Sequence, residues 1–136
     1  MHFTPYLSFA GQCAEAMRFY GEIFGATPQM LTFASVPPGG DMPPLPDEMQ
    51  DWIMHADLRL PNGAQLMGAD MPPQFGGKPQ AGVSIAVTLP ADTAEAVFLR
   101  LAEGGTVRMP FGTAFFSTGF GMCKDRFGTS WMVITG

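Results

Sequence analysis

The chain has 136 residues, of which 46% are hydrophobic and 14% charged, enough for one compact domain that folds without a disulfide or a metal. Twelve acidic residues against seven basic ones give a formal net charge of −5, which disfavours binding to nucleic acid or to an anionic membrane surface. The apolar runs are too short to cross a bilayer, and the residues after Met1 do not have the basic and then apolar pattern of a signal peptide. The two cysteines form no CxxC motif. We therefore expect a cytoplasmic protein with reduced thiols.

The first half of the chain predicts a strand, a helix and three further strands. Residues 6–9 have a strand-like sequence, and Gly25 suits the left-handed cap that ends a helix. Between them, apolar residues recur at the spacing of one helical face: Cys13, Ala16, Met17, Tyr20, Ile23 and Phe24. Thr32–Ser35 is the next predicted strand, and residues 58–67 predict a hairpin with Asn62-Gly63 at its turn.

Two proline-rich segments interrupt these elements. Residues 36–50 contain five prolines, which deny ladder hydrogen bonds and therefore predict a loop or lid. The acidic side chains in and beside this segment are typical of a solvated surface: Asp41, Asp47, Glu48 and Asp51. Residues 71–80 are rich in Pro and Gly and predict a linker between the two halves.

The second half repeats the plan of the first. Residues 83–89 predict a strand, and a helical stripe follows, formed by Ala94, Val97, Phe98 and Leu101. Asp92 and Glu95 can form a capping box at its start, and Gly104 or Gly105 would end it. Thr106–Met109 is the next predicted strand. Residues 123–132 resemble residues 58–67 in sequence, and Gly128 stands at the position that corresponds to Gly63.

The repeat predicts an α+β fold of two tandem βαβββ modules within a single domain. Module one covers about residues 1–70 and module two about 81–136, joined by the linker of about 71–80. A module with one helix on one face of a small sheet leaves its other face apolar. We therefore expect the two curved mixed sheets to form a cup, with the helices packed outside, and the cup to hold a ligand.

Motifs in both halves resemble the vicinal oxygen chelate superfamily, which includes glyoxalase, extradiol dioxygenases and bleomycin-resistance proteins, and within it the PhnB-like branch. The first half carries Pro5-Tyr6-Leu7-Ser8-Phe9, Ala16-Met17-Arg18-Phe19-Tyr20 and Phe24-Gly25-Ala26. The second carries Gly119-Phe120-Gly121, then Asp125-Arg126-Phe127-Gly128 and Trp131, similar to the branch's Asp-Pro-Phe-Gly-x-x-Trp ending with Arg126 in place of Pro. The branch often bears a name implying methylation of a demethylubiquinone, but no strand, Gly-rich loop and helix resemble an adenosylmethionine site.

The resemblance implies one divalent metal, held by His and Glu side chains from the first and last strands of each module. The last-strand positions fall at or near Met67 and Met132, and thioethers are poor ligands for Mg, Mn, Fe(II) or Zn. The first-strand positions, within 4–8 and 82–85, contain no His, Asp or Glu. We therefore expect no metal and no cofactor. The alternative is one divalent metal at a relocated site that uses His55, with His2 as a conceivable further ligand.

Two groups of side chains are candidates for a functional site. His55 and Asp57 lie two apart in a predicted strand and so share one face, where His55 can act as a general base or orienting donor with Asp57 fixing its tautomer. The alternative is a structural histidine beside a solvated Asp57. Candidate ligand-binding residues line or close the expected cup: Tyr6, Ser8, Met67, Ser84, Phe116, Phe120, Trp131 and Met132. Cys13 lies on the apolar stripe of its helix and is expected to be buried and inert.

These observations favour a metal-independent protein that binds a small organic molecule, as bleomycin-resistance proteins do. The alternative is a lyase or dioxygenase-type enzyme with a relocated metal, or a metal-free acid–base catalyst around His55. A structural or regulatory role has no positive feature beyond apolar content. The resemblance also implies a homodimer, which a mean hydropathy of +0.13 favours.

Overall fold

The computed structural model describes residues 1–37 and 44–136. The chain divides into two compact units, Met1–Pro79 and Gln80–Gly136, called here the first and second unit. Each has one helix and one four-stranded mixed sheet in the predicted order βαβββ. The first unit contains β1 Tyr6–Phe9, α1 Cys13–Phe24, β2 Gln29–Thr32, β3 Ile53–Arg59 and β4 Gln65–Asp70. The second contains β5 Ser84–Leu89, α2 Ala91–Ala102, β6 Thr106–Ala114, β7 Ser117–Lys124 and β8 Ser130–Thr135.

The sheet of the first unit has the strand order β1-β4-β3-β2, with β1 parallel to β4 and the other neighbours antiparallel. One face packs on α1: a Cβ added at Gly68 would lie 3.6 Å from the Cys13 sulfur. Leu7 and Ala56 pair with Gly68 across the ladders and are buried on that face. Side chains alternate along a strand, so their neighbours point to the opposite side, which we call the distal face.

The second unit repeats this arrangement, with the strand order β5-β8-β7-β6 and β5 parallel to β8. Its helix-covered face includes Gly121, where an added Cβ would lie 2.9 Å from the ring of Phe98 on α2. Val133 pairs with Gly121 and is fully buried. The residues that alternate with these form the distal face of the second sheet. The predicted α+β fold of two βαβββ modules is thus confirmed, and the shared cup stays a prediction.

The two predicted hairpins have the same backbone hydrogen bonds. In the first unit Leu60 N donates to Ala64 O and Gly63 N donates to Leu60 O. In the second, Asp125 N donates to Thr129 O and Gly128 N donates to Asp125 O. Both glycines have positive φ, +91° at Gly63 and +96° at Gly128, a conformation that glycine adopts without strain. The sequence match between these two turns therefore reflects a repeated structure.

Helix α1 has the predicted bounds, and Gly25 caps it in the left-handed conformation with φ of +80°. Two local predictions were wrong. Asp92 and Glu95 form no capping box, because α2 begins at Ala91 after Pro90, which places Asp92 inside the first turn. That helix ends at Ala102, and Gly104 adopts the left-handed conformation in the turn that follows, with φ of +74°, as predicted for a glycine that ends it. Thr32–Ser35 is not a strand: β2 lies earlier, and Phe33–Ser35 forms a single 3-10 turn in which the Ser35 hydroxyl donates to the Thr32 carbonyl.

The proline-rich segment, predicted to be a loop or lid, lies partly outside the described residues. Residues 38–43, including Asp41, belong to that part. In the described remainder, Asp47–Met49 forms a 3-10 turn whose two acidic side chains are exposed. Within the predicted linker, Pro73–Phe75 forms another such turn, capped by Gly76. No helix in residues 1–37 and 44–136 is long and apolar enough to span a membrane.

Candidate functional site

The distal face of the first sheet carries most of the predicted polar site residues. Tyr6 pairs with Met67 across β1 and β4, and Met67 pairs with Asp57 across β4 and β3, so these three side chains form one row. Ser8 and His55 follow two residues along their own strands and share the same face. The structure therefore brings together five of the predicted residues on one surface.

The centre of this group is a hydrogen bond between the Tyr6 hydroxyl and Nδ1 of His55, with 2.9 Å between the two atoms. The rings also contact each other, with centroids 5.7 Å apart and planes tilted by 32°. Burial, and secondarily the nearby Cys13 thiol, raises the pKa of Tyr6 above its ordinary value. The phenol therefore keeps its proton at neutral pH and can donate it to Nδ1, which favours the tautomer with the imidazole proton on Nε2.

Asp57 belongs to a neighbouring set of contacts. Its carboxylate accepts one hydrogen bond from the Gln65 amide at 2.7 Å and one from Nε of Arg59 at 3.0 Å. The Gln65 hydrogen bond, followed by the hydrogen bond and charge of Arg59 and, last, the nearby His55, lowers the pKa of Asp57, against a smaller opposing effect of burial. Tyr6, rather than Asp57, thus makes the hydrogen bond that orients the His55 ring.

The distal face of the second sheet carries three of the apolar and small polar candidates. Ser84 pairs with Ser130, and Met132 pairs with Ala86 and with Met122. Phe120 is buried on this face and stacks edge-on against Phe116, with ring centroids 4.9 Å apart. Phe116 is 54% exposed in the β6–β7 turn and therefore offers an accessible ring.

Trp131 lies on the other face of the same sheet. It pairs with Ile85 and Cys123, is 2% exposed, and donates its indole N–H to the Asp125 carboxylate at 2.8 Å. The same carboxylate accepts the backbone N–H groups of Phe127 at 2.9 Å and Thr129 at 3.0 Å. The hydrogen bond from Trp131 thus stabilises the turn between β7 and β8. Trp131 does not belong to the distal face, where a ligand-binding residue was expected from the sequence.

Sequence reasoning did not single out Asp70, which is 1% exposed at the end of β4. One carboxylate oxygen accepts the backbone N–H groups of Gly11 at 2.8 Å and Cys13 at 3.0 Å, and the other accepts that of Ile53 at 2.8 Å. Asp70 therefore joins the start of α1 to β3. A charged residue that ends an otherwise apolar strand directly before Met71-Pro72 was the available signal in the sequence.

Both cysteines are free and buried, one in each unit. Burial, with a further contribution from Asp70, raises the pKa of Cys13 to about 12. Burial and Asp125 raise that of Cys123 to about 11. A thiol with so high a pKa is a poor nucleophile at neutral pH, in agreement with the prediction that Cys13 is inert.

The strand positions at which the sequence resemblance predicts metal ligands carry hydroxyl and thioether groups in this chain. Tyr6 and Ser8 stand on β1, Ser84 on β5, and Met67 and Met132 on the last strands. Such groups are poor ligands for hard or borderline divalent cations. Within residues 1–37 and 44–136, no three His, Cys, Asp or Glu side chains are grouped closely enough to hold a metal ion, so His55 has no such partners there.

A model of the family described as 3-demethylubiquinone-9 3-methyltransferase matches residues 1–134. The chain belongs to this family. Protein YjdN of Escherichia coli (strain K12) is 31% identical over 145 residues, which cover 98% of this chain and 94% of that protein.

Solved structures agree with this assignment. Protein PA1353 from Pseudomonas aeruginosa superposes with a TM-score of 0.85 at 39% identity, covering 99% of this chain and 97% of that chain. The PhnB protein from Bacillus cereus has a TM-score of 0.76 at 26% identity, with both chains covered completely. Glyoxalase-related structures share the fold with TM-scores of 0.64 at 17–19% identity. The protein is therefore PhnB-like, and it shares its fold with glyoxalase-related structures.

Proposed function

We propose that this chain binds a small organic molecule without the divalent metal of the superfamily's enzymes. The observation that carries the proposal is the Tyr6–His55 hydrogen bond on the distal face of the first sheet. It fixes two side chains that each combine an apolar ring with a polar atom, the combination by which small-molecule sites fix a ligand's orientation. Ser8 and Met67 lie beside them on the same face and would extend the contact area.

The orientation of His55 defines what this site would offer a ligand. With Nδ1 accepting the Tyr6 proton, Nε2–H is a hydrogen-bond donor that a carbonyl or carboxylate oxygen of a ligand can accept. Asp57, held by Gln65 and Arg59, stays ionised and favours a positively polarised group nearby. The site would thus donate a hydrogen bond to one acceptor atom of the ligand. The aromatic rings and the Met67 thioether would contact the rest of the ligand.

Metal analysis of protein purified without chelator tests the first half of the proposal. We expect iron, zinc, manganese and nickel each well below one atom per chain, because the available donors suit none of them. One bound atom per chain that survives dialysis would reject metal-independent binding.

A thermal-shift screen of aromatic and thiol-containing metabolites tests the second half, since a ligand that binds only the folded chain raises its Tm. Compounds that stabilise the wild type should stabilise His55→Ala and Tyr6→Phe less, because each variant breaks the Tyr6–His55 bond. Glu48→Gln, at an exposed position, is the matched control and should respond as the wild type does. Equal stabilisation of all four proteins would remove this pair from the binding site.

A second candidate function is metal-free acid–base catalysis, which the same hydrogen bond favours. A histidine held by a tyrosine and lying near an ionised carboxylate can accept and return a proton. Each compound that binds would be incubated with the protein and followed by mass spectrometry. Conversion that is lost in His55→Ala would establish an enzyme; an unchanged compound would leave binding as the function. We do not propose the methylation in the family's name, because neither unit has a doubly wound sheet among its described strands.

The homodimer and the cytoplasmic location stay proposals of this kind. Light scattering at micromolar concentration tests the first: a molar mass twice that of the 14.6 kDa chain is expected, and a monomer would contradict it. Fractionation of cells that produce the protein tests the second.

A further inference from the structure

The distal face of the second sheet is ordered by polarity, in three rows that each cross all four strands. The first row, called the polar row, contains three hydroxyl groups and one ammonium group. Its members pair directly with one another across the ladders: Ser84, Ser130, Lys124 and Thr106.

The next row along the strands, called the thioether row, consists of Ala86, Met132, Met122 and Met109. Three thioethers in neighbouring strands form a polarisable, adaptable surface, and methionine sulfur makes favourable contacts with aromatic rings. Met109 is 46% exposed, so this surface is accessible from the β6 side.

The third row is apolar and has an aromatic end. Ile134 pairs with Thr88 and with Phe120, and Phe120 pairs with Gly112. The Phe116 ring stands edge-on against Phe120 and closes this end of the face. The face thus changes from polar and cationic at one end to aromatic at the other.

Lys124 is the charged member of this gradient. It is half-buried, and its ammonium group makes no hydrogen bond or ion pair with any part of the chain that the structure describes. The hydroxyl-bearing residues Ser130 and Thr106 pair with it on either side. A half-buried ammonium without a protein partner and beside two hydroxyls is complementary to an anionic group of a ligand.

We infer that the distal face of the second sheet binds a small organic monoanion with a flat apolar body, its acid group on Lys124 and the hydroxyls of the polar row, and its body over the methionines of the thioether row. This inference rests on the proposed function only in that the chain binds a small organic molecule, and it adds a second surface with its own ligand class. The formal charge of −5 disfavours polyanions, whereas one local ammonium is sufficient for a single carboxylate. Successive rows lie about 7 Å apart along the strands, so a bicyclic aromatic ring bonded directly to a carboxylate reaches from the first row to the second.

Calorimetric titration with 2-naphthoate and with 2-naphthamide tests the inference, because the two compounds have nearly the same shape and differ in charge. We expect the wild type to bind 2-naphthoate about five- to tenfold more tightly, the effect of one charge-assisted contact at a partly exposed site. Lys124→Gln should remove that preference and leave the affinity for 2-naphthamide unchanged. Raising the salt concentration should weaken binding of 2-naphthoate only.

Three further variants make the result specific. Lys124→Arg keeps the charge and should retain the preference. Met122→Ser should weaken both compounds to a similar extent, because it removes apolar contact and no charge. Lys78→Gln removes an exposed lysine of the first unit and should change neither affinity.

Equal affinities for the two compounds, a preference that survives Lys124→Gln, or no binding of 2-naphthoate would each overturn the inference. Failure of the proposed function gives a different result: no compound of the whole thermal-shift panel would then stabilise the chain.

Discussion

Replacement of Asp70 by Ala should destabilise the first unit more than any other single change in its polar contacts. The substitution leaves three backbone N–H groups without their acceptor: those of Cys13 and Ile53, whose hydrogen bonds are buried, and that of Gly11, whose hydrogen bond is partly buried. A hydrogen bond to a charged group contributes about 1.5–3 kcal/mol, and burial of the carboxylate itself offsets part of the sum. We therefore expect a loss of about 4 kcal/mol in the free energy of unfolding.

Hydrogen exchange followed by NMR measures this loss at the three amides themselves. A change of about 4 kcal/mol corresponds to exchange that is roughly a thousandfold faster. Asp70→Asn keeps an acceptor oxygen and should lose about half as much, because its amide N–H₂ cannot accept from Ile53. Asp51→Ala, an exposed carboxylate nearby in sequence, is the control and should change stability by less than about 0.5 kcal/mol. If Asp70→Ala stayed within 1 kcal/mol of that control, the role assigned to this carboxylate would be refuted.

Three further predictions concern burial and packing. Gly121→Ala should cost about 1–3 kcal/mol, because the added methyl group would meet a phenylalanine ring at 2.9 Å. Gly112→Ala should be nearly neutral, because its methyl group would have no atom within 4 Å apart from those of its own residue and its two chain neighbours; urea unfolding compares the two variants. Trp131→Phe should cost about 1–3 kcal/mol in the same assay, because Asp125 loses its indole donor, and an unchanged stability would contradict the contact. Because the pKa of Cys13 is raised to about 12 in the folded chain, this thiol ionises at a lower pH in the unfolded chain than in the folded one. The free energy of unfolding should therefore fall as the pH rises from 9 towards 12. In Cys13→Ala this fall should be smaller than in the wild type.

Local sequence patterns were sufficient for the repeated plan of the fold. The spacing of apolar residues in α1, the glycine after it and the Asn62-Gly63 turn are each decided by short-range geometry, and each was confirmed. The start of α2 was not predictable from Asp92 and Glu95, because the Pro90 carbonyl accepts the first backbone N–H groups of that helix. Pro90 therefore occupies the N-cap position that the capping-box pattern assigns to Asp92.

The polar contacts depend on pairings between residues that are distant in the sequence. Tyr6 and His55 are 49 positions apart, and only the placement of β1 and β3 around β4 brings their rings together. Sequence spacing did place His55 and Asp57 on one face, but it could not decide which neighbour would orient the imidazole. Asp70 was missed for a related reason, since its three N–H partners lie on segments up to 59 residues away.

Strand β6 has a consequence for the behaviour of the chain at high concentration. An edge strand exposes hydrogen-bonding groups that can template the addition of a strand from another molecule. The pairing of β6 with β7 shifts register between Val107 and Met109 and again between Met109 and Gly112, and Pro110 lies within the second shift and lacks an N–H group. This edge therefore presents no long, evenly spaced run of donors and acceptors. We therefore expect the irregular course of this nine-residue strand to disfavour the addition of a strand from another molecule at this edge.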